Sequence, residues 1–386
     1  MRVVIAPDKF KGTLSASEVI AALSSGIESA RPGAEIFGVP MADGGEGTLD
    51  AALAAGFEER RVTVTGPLGD PVQTSFGKRG SVALVEMAQA SGLELVPESR
   101  RDPLRATSFG TGELIGAALD ALGADSEETV DIVLAIGGSA STDGGAGLLQ
   151  ALGATLLDAR GDPIAPGGVG LLDLARLDLA GLDPRLARAN LTLATDVTNP
   201  LLGSRGAAAV FAPQKGADRD HVRELERGLE NWVDVLAAEI GPDARGAAER
   251  PGAGAAGGVG FAVMAVLGVL ARSVSVRPGV DVVRELTGLD AQLAQADLVI
   301  TGEGSLDGQS LSGKTPVGVA RAARSLNPGV PVLAVCGRNA LTDEQSRTAG
   351  FGEVYALADR ASETDALSNP VPLLKSIGAD IARQKS

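Results

Sequence analysis

Residues 2–27, RVVIAPDKFKGTLSASEVIAALSSGI, decide the fold. They open on Arg2–Ala6, a short apolar run of the kind that forms strands buried on both faces of a parallel sheet. Ser15-Ala16-Ser17-Glu18 has the spacing of a capping box, in which side chains satisfy the free N–H groups at a helix start. Val19, Ile20, Leu23 and Ile27 follow at helical spacing, and Pro32-Gly33 ends the helix. A second strand, Ile36–Val39, and a second helix, Thr48–Ala55 closed by Gly56, complete a βαβα run.

The C-terminal part repeats this style. Asp297–Thr301 (DLVIT) reads as a strand followed by a loop. Then come a helix at Val317–Arg324, a strand at Val330–Val335, a short helix at Leu341–Thr348, a strand at Glu353–Ala356 and a final helix at Pro370–Arg383. Strands alternating with helices mean a parallel α/β sheet. The middle differs: residues 61–86 alternate in β fashion around the turn Gly66-Pro67-Leu68-Gly69-Asp70, Val130–Ile136 and Leu191–Ala194 read as strands, and 218–240 as one long helix. At about 150 residues per domain, 386 residues suggest two. The expected architecture is a Rossmann-like parallel-sheet domain of residues 1–62 and 290–386, holding both termini, with a second α/β domain, 63–289, inserted into it.

Composition narrows the function. A net charge of −15 argues against nucleic acid and against an anionic membrane surface. The single cysteine, Cys336, excludes an intrachain disulfide and any Cys-based zinc site. The single histidine, His221, excludes multi-His metal sites, and it lies in Asp218-Arg219-Asp220-His221, which reads as a solvated helix start. Acid–base chemistry therefore falls to carboxylates or lysines. MRVVIAPDKF lacks the apolar region of a signal peptide. Gly252 to Ala271 is uncharged, but only Phe261 to Ala271 is strongly apolar, short of the roughly 20 residues a membrane span needs. A cytoplasmic protein is expected, and a homodimer is left open.

Glycine numbers 52 residues, about twice the ordinary share of roughly 7%, and the extra glycine is concentrated in DGGEGT (43–48), GGSASTDGGAG (137–147), GAGAAGGVG (252–260) and GEGSLDG (302–308). Glycine after a strand lets the backbone approach a ligand, and a following helix start attracts anions. Two patterns fail on context. Gly252-Ala-Gly254-Ala-Ala-Gly257 fits GxGxxG but follows polar residues rather than a strand. Gly308 to Thr315, GQSLSGKT, fits GxxxxGK[ST], but with the strand ending at Thr301 it does not lie directly between strand and helix.

Charged residues accompany these loops. Asp8, Lys9 and Lys11 follow the first strand, and Asp43 and Glu46 the second. Asp143, Asp196, Glu303 and Asp307 follow later strands. Ligands bind at the carboxyl ends of parallel strands. Carboxylates for Mg²⁺, lysines and N–H groups for phosphates, and one carboxylate for the acceptor hydroxyl make up what phosphoryl transfer needs. The competing explanation for each Asp alone is a helix cap or an Asx turn.

Ten segments together carry a family resemblance: IAPDKFKGTLSASE (5–18), VPMADGGEGT (39–48), VTGPLGDPV (64–72), VEMAQASGL (85–93), TSFGTGELI (107–115), IGGSASTDGGAGLLQALG (136–153), ATDVTNPLLG (194–203), FAPQKGA (211–217), PGAGAAGGVG (251–260) and DLVITGEGSLDGQSLSGKTPVGVA (297–320). The chain resembles the type-1 glycerate kinases of bacteria along nearly its whole length. The resemblance implies ATP-dependent, Mg²⁺-dependent phosphorylation of D-glycerate to 2-phosphoglycerate, or alternatively 3-phosphoglycerate, by two α/β domains with the site in the cleft between them. A nicotinamide-dependent hydroxy-acid oxidoreductase is the rival class.

The residue roles expected on this reading are as follows. Asp196 orients or deprotonates the attacking hydroxyl, and Lys11 and Asp8 join it in catalysis. Gly137, Gly138 and Ser139 cradle phosphates, with Lys314, Gly302 and Gly304 completing the nucleotide site. Lys9, Asp43 and Asp143 bind substrate. Asp43, Glu303 and Asp307 hold Mg²⁺.

Overall fold

The computed structural model describes residues 1–123 and 128–384. Its fold is α/β. The described residues form two compact units: Met1–Asp43, Asp50–Gly56 and Pro278–Ser386 make one, and Gly44–Leu49 with Phe57–Arg277 the other. The divisions differ from those expected at 62 and 289 for a reason of pairing. Strand Glu58–Thr65 is antiparallel to Pro71–Arg79 over its whole length, from Glu58↔Lys78 to Thr65↔Pro71, so it belongs with the second unit. Helix Gly279–Thr287 buries Val280 and Val283 in a core of the first.

The first unit has a five-stranded sheet in the order Glu353–Ala356, Val332–Asn339, Leu298–Leu306, Arg2–Pro7, Glu35–Gly38, parallel throughout. The period-2 geometry of a strand explains its two cores. Val4, Ala6, Val299, Val332, Ala334 and Cys336 face one cluster, and Val3, Ile5, Leu298, Ile300, Leu333 and Val335 the other. Helix Thr315–Leu326 covers the first face through Val319, Ala320 and Ala323. Helices Ala16–Ala30 and Pro370–Gln384 cover the second through Val19, Leu23, Ile27, Leu374, Ile377 and Ile381.

The capping box is present: Ser15 N donates to Glu18 Oε2 at 2.8 Å and Glu18 N to Ser15 Oγ at 3.3 Å. The two covering helices cross at glycine, since a Cβ on Gly26 would lie 2.0 Å from the Lys375 carbonyl oxygen.

One sequence expectation is corrected here. The strand beginning DLVIT does not stop at Thr301. It runs to Leu306, with Ser305 and Leu306 registered on Arg338 and Asn339 of the neighbouring strand. GEGSL is therefore strand, not loop.

The second unit has a six-stranded mixed sheet in the order Ser273–Arg277, Ala189–Ala194, Val130–Ala135, Val82–Glu86, Pro71–Arg79, Glu58–Thr65. The first four strands are parallel and the last two antiparallel. The edge strand Ser273–Arg277 was not foreseen, because its SVSVR alternation is short and follows an apolar run. The long helix is Arg219–Ile240, capped by Asp218, and it buries Leu225, Leu229, Trp232, Val233 and Leu236 along one side. His221 lies in its first turn, beside Asp218. Residues 255–270 follow as helical turns with a buried π-helical stretch at Val263–Leu267. Among the described residues no helix is long and apolar enough to cross a membrane.

Candidate functional site

In the first unit the acidic residues gather at the carboxyl end of the sheet. Asp8 follows strand Arg2–Pro7, and its Oδ2 accepts 2.7 Å from Thr315 Oγ1 while Oδ1 accepts 2.7 Å from the Lys9 amide. Its carboxyl is pushed up to about 7, by burial first and then by the field of Asp43; Thr315 and the Lys9 amide pull the other way. Glu303 is also raised, chiefly by burial, with Lys314 opposing and Asp43 and Asp307 adding to it. Asp8, Asp43, Glu303, Asp307 and Lys314 thus share one electrostatic neighbourhood. Asp307 is the most locally employed: its Oδ1 accepts from the Gln309 amide at 2.8 Å, an Asx turn.

The extended strand changes the reading of GQSLSGKT. With the strand ending at Leu306 and the helix Thr315–Leu326 starting at Thr315, residues 308–315 do lie directly between strand and helix. Lys314 caps that helix with extended backbone, and Gly313 has φ +101°, which a side chain would resist. Thr315, fully buried, reaches the end of the adjacent parallel strand to meet Asp8. Gly302 and Gly304, expected in a phosphate-binding loop, are ladder residues instead. A Cβ on Gly302 would meet the Val335 carbonyl oxygen at 1.9 Å, so glycine there serves strand packing. Lys9 is half-buried and Lys11 exposed in the turn after Asp8.

In the second unit, the glycine loops after strand Val130–Ala135 and at 44–49 meet. The Gly137 amide donates to the Gly44 carbonyl at 3.0 Å, and a Cβ on Gly137 would lie 2.4 Å from Gly45 Cα. That amide is therefore occupied, a correction to its expected phosphate contact; Gly138, at φ +76°, and Ser139 follow it. Glu86, fully buried, holds the other side of this junction by accepting 2.7 Å from the Leu49 amide.

Asp143 lies in the same loop. It is 0% exposed, and its Oδ2 accepts from Ser108 N at 2.7 Å, Ser108 Oγ at 2.8 Å, Thr107 Oγ1 at 3.3 Å and Gly147 N at 3.3 Å, with Oδ1 accepting from Gly145 N at 3.1 Å. Both oxygens staple the loop, so Asp143 organises its backbone. Asp196 lies just past strand Ala189–Ala194, half-buried.

Sequence reasoning missed three residues. Thr315 was hidden by the misplaced strand end. Glu86 looks like an ordinary strand-end carboxylate. Lys215 is 2% exposed and donates from Nζ to Ser139 Oγ at 2.9 Å and to the Ser141 carbonyl. Burial pushes its ammonium down to about 7, against the opposing field of Asp143. Its signal was available: Lys215 is the sole charge between Arg205 and Asp218.

The comparisons with known proteins cover most or all of the chain. A glycerate kinase from Bacillus subtilis is 43% identical over 388 residues, spanning 99% of this chain and 97% of that one. A glycerate 2-kinase from Escherichia coli K12 is 47% identical over 347 residues, spanning 89% and 86%. A crystal structure provisionally named glycerate kinase 2, from Salmonella typhimurium LT2, superposes with a TM-score of 0.82 at 42% identity, covering 100% of this chain and 98% of the other. The model of the glycerate kinase family matches residues 3–386, and the chain belongs to that family.

Proposed function

We propose that this chain transfers the terminal phosphoryl group of ATP, with Mg²⁺, to the 2-hydroxyl of D-glycerate, giving 2-phosphoglycerate. Family membership supports the kinase, and the name of the E. coli relative, glycerate 2-kinase, supports the position. The observation that carries the chemistry is the Thr315–Asp8 hydrogen bond, which fixes a helix start bearing Lys314 against a carboxylate cluster.

Mg²⁺ takes oxygen ligands in octahedral geometry and keeps several waters, using one or two carboxylates plus substrate phosphates. Among the described residues no three His, Cys, Asp or Glu side chains are gathered to hold a metal by themselves. Asp43, Glu303 and Asp307 therefore do not form a protein-only cage. Asp8 and Glu303, both raised in pKa by burial and by acidic neighbours, are hard oxygen donors whose ionisation a cation would favour. They fit such a site, with Asp43 beside them. When bound, Mg²⁺ neutralises charge on the phosphate oxygens.

The chain's own residues supply the rest. Lys314 and the free N–H groups at the start of helix Thr315–Leu326 hold phosphate oxygens. Lys9 and Lys11 neutralise the glycerate carboxylate or the transferring group. Asp196 accepts the proton of the attacking hydroxyl as its oxygen bonds to phosphorus and ADP leaves. The nicotinamide alternative gains nothing from the structure, since helix Asp243–Glu249 precedes the GxGxxG match and no strand leads into it.

Phosphorus NMR of the product from ATP, Mg²⁺ and D-glycerate tests the reading. A 2-phosphoglycerate signal is expected. A 3-phosphoglycerate signal would overturn the position and keep the kinase, and no phosphoglycerate would overturn the substrate.

A further inference from the structure

Lys215 is a buried cation that the reaction as described leaves unused. It lies at the end of the turn Pro213–Lys215, with its Nζ donating to Ser139 Oγ and to the Ser141 carbonyl of the glycine-rich loop. Burying an ammonium is costly, so its retention calls for a role. The charged group that acts on it is Asp143 from that loop, and Arg101 Nη1 donates to the carbonyl of the preceding residue, Gln214.

The bond to Ser139 has a directional consequence. A hydroxyl that accepts from an ammonium must turn its own proton elsewhere. Among the described residues nothing accepts that proton. Ser141 Oγ and Thr142 Oγ1, both fully buried in the same loop, also have no hydrogen-bond partner among the described residues. Two unpaired buried hydroxyls in one loop, beside a third that only accepts, are unusual, because buried polar groups are nearly always paired with protein, water or a bound group.

We propose that Lys215 is a positioning residue that fixes the Ser139 hydroxyl as a hydrogen-bond donor to a phosphoryl oxygen, of ATP or of the phosphorylated product. The inference rests on the reading of Gly138-Ser139 as a phosphate cradle, and it goes further by naming the group that aims the donor. Lysine suits the role because its ammonium offers three donors on a flexible stem, two of which pin the loop.

The test compares Ser139→Ala, Lys215→Met, Lys215→Arg and the Ser139→Ala/Lys215→Met double variant in the full chain, with MgATP and D-glycerate as substrates. Ser139→Ala is expected to lower kcat by about 10²-fold, as loss of one preorganised donor does. Lys215→Met should do the same, and the double variant should be no worse than the poorer single one, since both changes remove the same aimed hydroxyl. Lys215→Arg keeps the donors and should recover most of kcat.

Wild-type rates in Ser139→Ala would overturn the phosphate cradle itself. Impaired single variants whose effects multiply would overturn the positioning alone. If Lys215→Met does not fold, a kcat in Lys215→Arg as low as that of Ser139→Ala overturns the proposal, because the donors to Ser139 and Ser141 are kept there.

Discussion

Thr315 Oγ1 donates a 2.7 Å hydrogen bond to Asp8 Oδ2, linking the first turn of helix Thr315–Leu326 to the end of strand Arg2–Pro7. The two anchor points belong to adjacent parallel strands, because Arg2–Pro7 pairs directly with Leu298–Leu306, the strand that leads into the helix. One hydroxyl thereby sets the distance between a carboxylate and an anion-attracting helix start.

Replacing Thr315 by Val keeps the volume and removes that bond. Asp8 then loses one of the interactions that lower its pKa, so its carboxyl rises further and ionises less at neutral pH. The expected result is a fall in kcat of about 10-fold or more, with a higher Mg²⁺ requirement. Initial rates across a Mg²⁺ series check it; an unchanged Mg²⁺ dependence counts against a metal role for Asp8.

The pH dependence of stability follows from the same group. Asp8 titrates near 3.8 when unfolded and about 7 when folded, so the folded chain holds its proton more tightly. Its stabilising contribution is full below pH 3.8 and is lost as pH rises toward 7. Lys215, lowered from 10.5 to about 7, acts in the opposite direction above pH 7, where rising pH restores stability. The ligand-free protein should therefore have a lower urea midpoint at pH 7 than at pH 5.5. Asp8→Asn should abolish most of that difference while lowering activity by roughly 10²–10⁴-fold.

Asp196→Asn is isosteric and removes the proposed proton acceptor. Loss of a general base costs about 10²–10⁴-fold in kcat. Turnover at the wild-type rate, measured with saturating ATP and D-glycerate, would remove Asp196 from the chemistry.

Asp143 behaves differently because it staples backbone. Asp143→Ala leaves Ser108 N, Gly145 N and Gly147 N without their acceptor inside a closed loop. Each buried group so exposed costs roughly 1–3 kcal/mol. Thermal unfolding should show a drop in Tm of at least several degrees, and a variant with native Tm but lost activity would return Asp143 to the substrate site.

Much of this was legible in the chain because it depends on local pattern. The capping box at Ser15–Glu18, the apolar run before it and the strand–helix alternation are neighbour effects that the order of residues contains outright. So is the exclusion of disulfide and multi-His chemistry, which follows from one Cys336 and one His221. The acidic character of the loops after strands was readable for the same reason.

What the chain alone did not show depends on non-local pairing. The strand from Leu298 continues to Leu306 only because Val332–Asn339 lies beside it to complete its hydrogen bonds, and that extension is what brings GQSLSGKT between strand and helix. Asp143 and Asp8 look alike as loop aspartates. Tertiary packing surrounds Asp143 with donors from Ser108 and Gly147, and leaves Asp8 among other acids with one hydroxyl and the neighbouring Lys9 amide for support. Residue order determined which groups are present and which elements they follow. Only the folded structure decided which carboxylates are saturated and which keep their charge available, because that depends on the backbone donors and charges packed around each one.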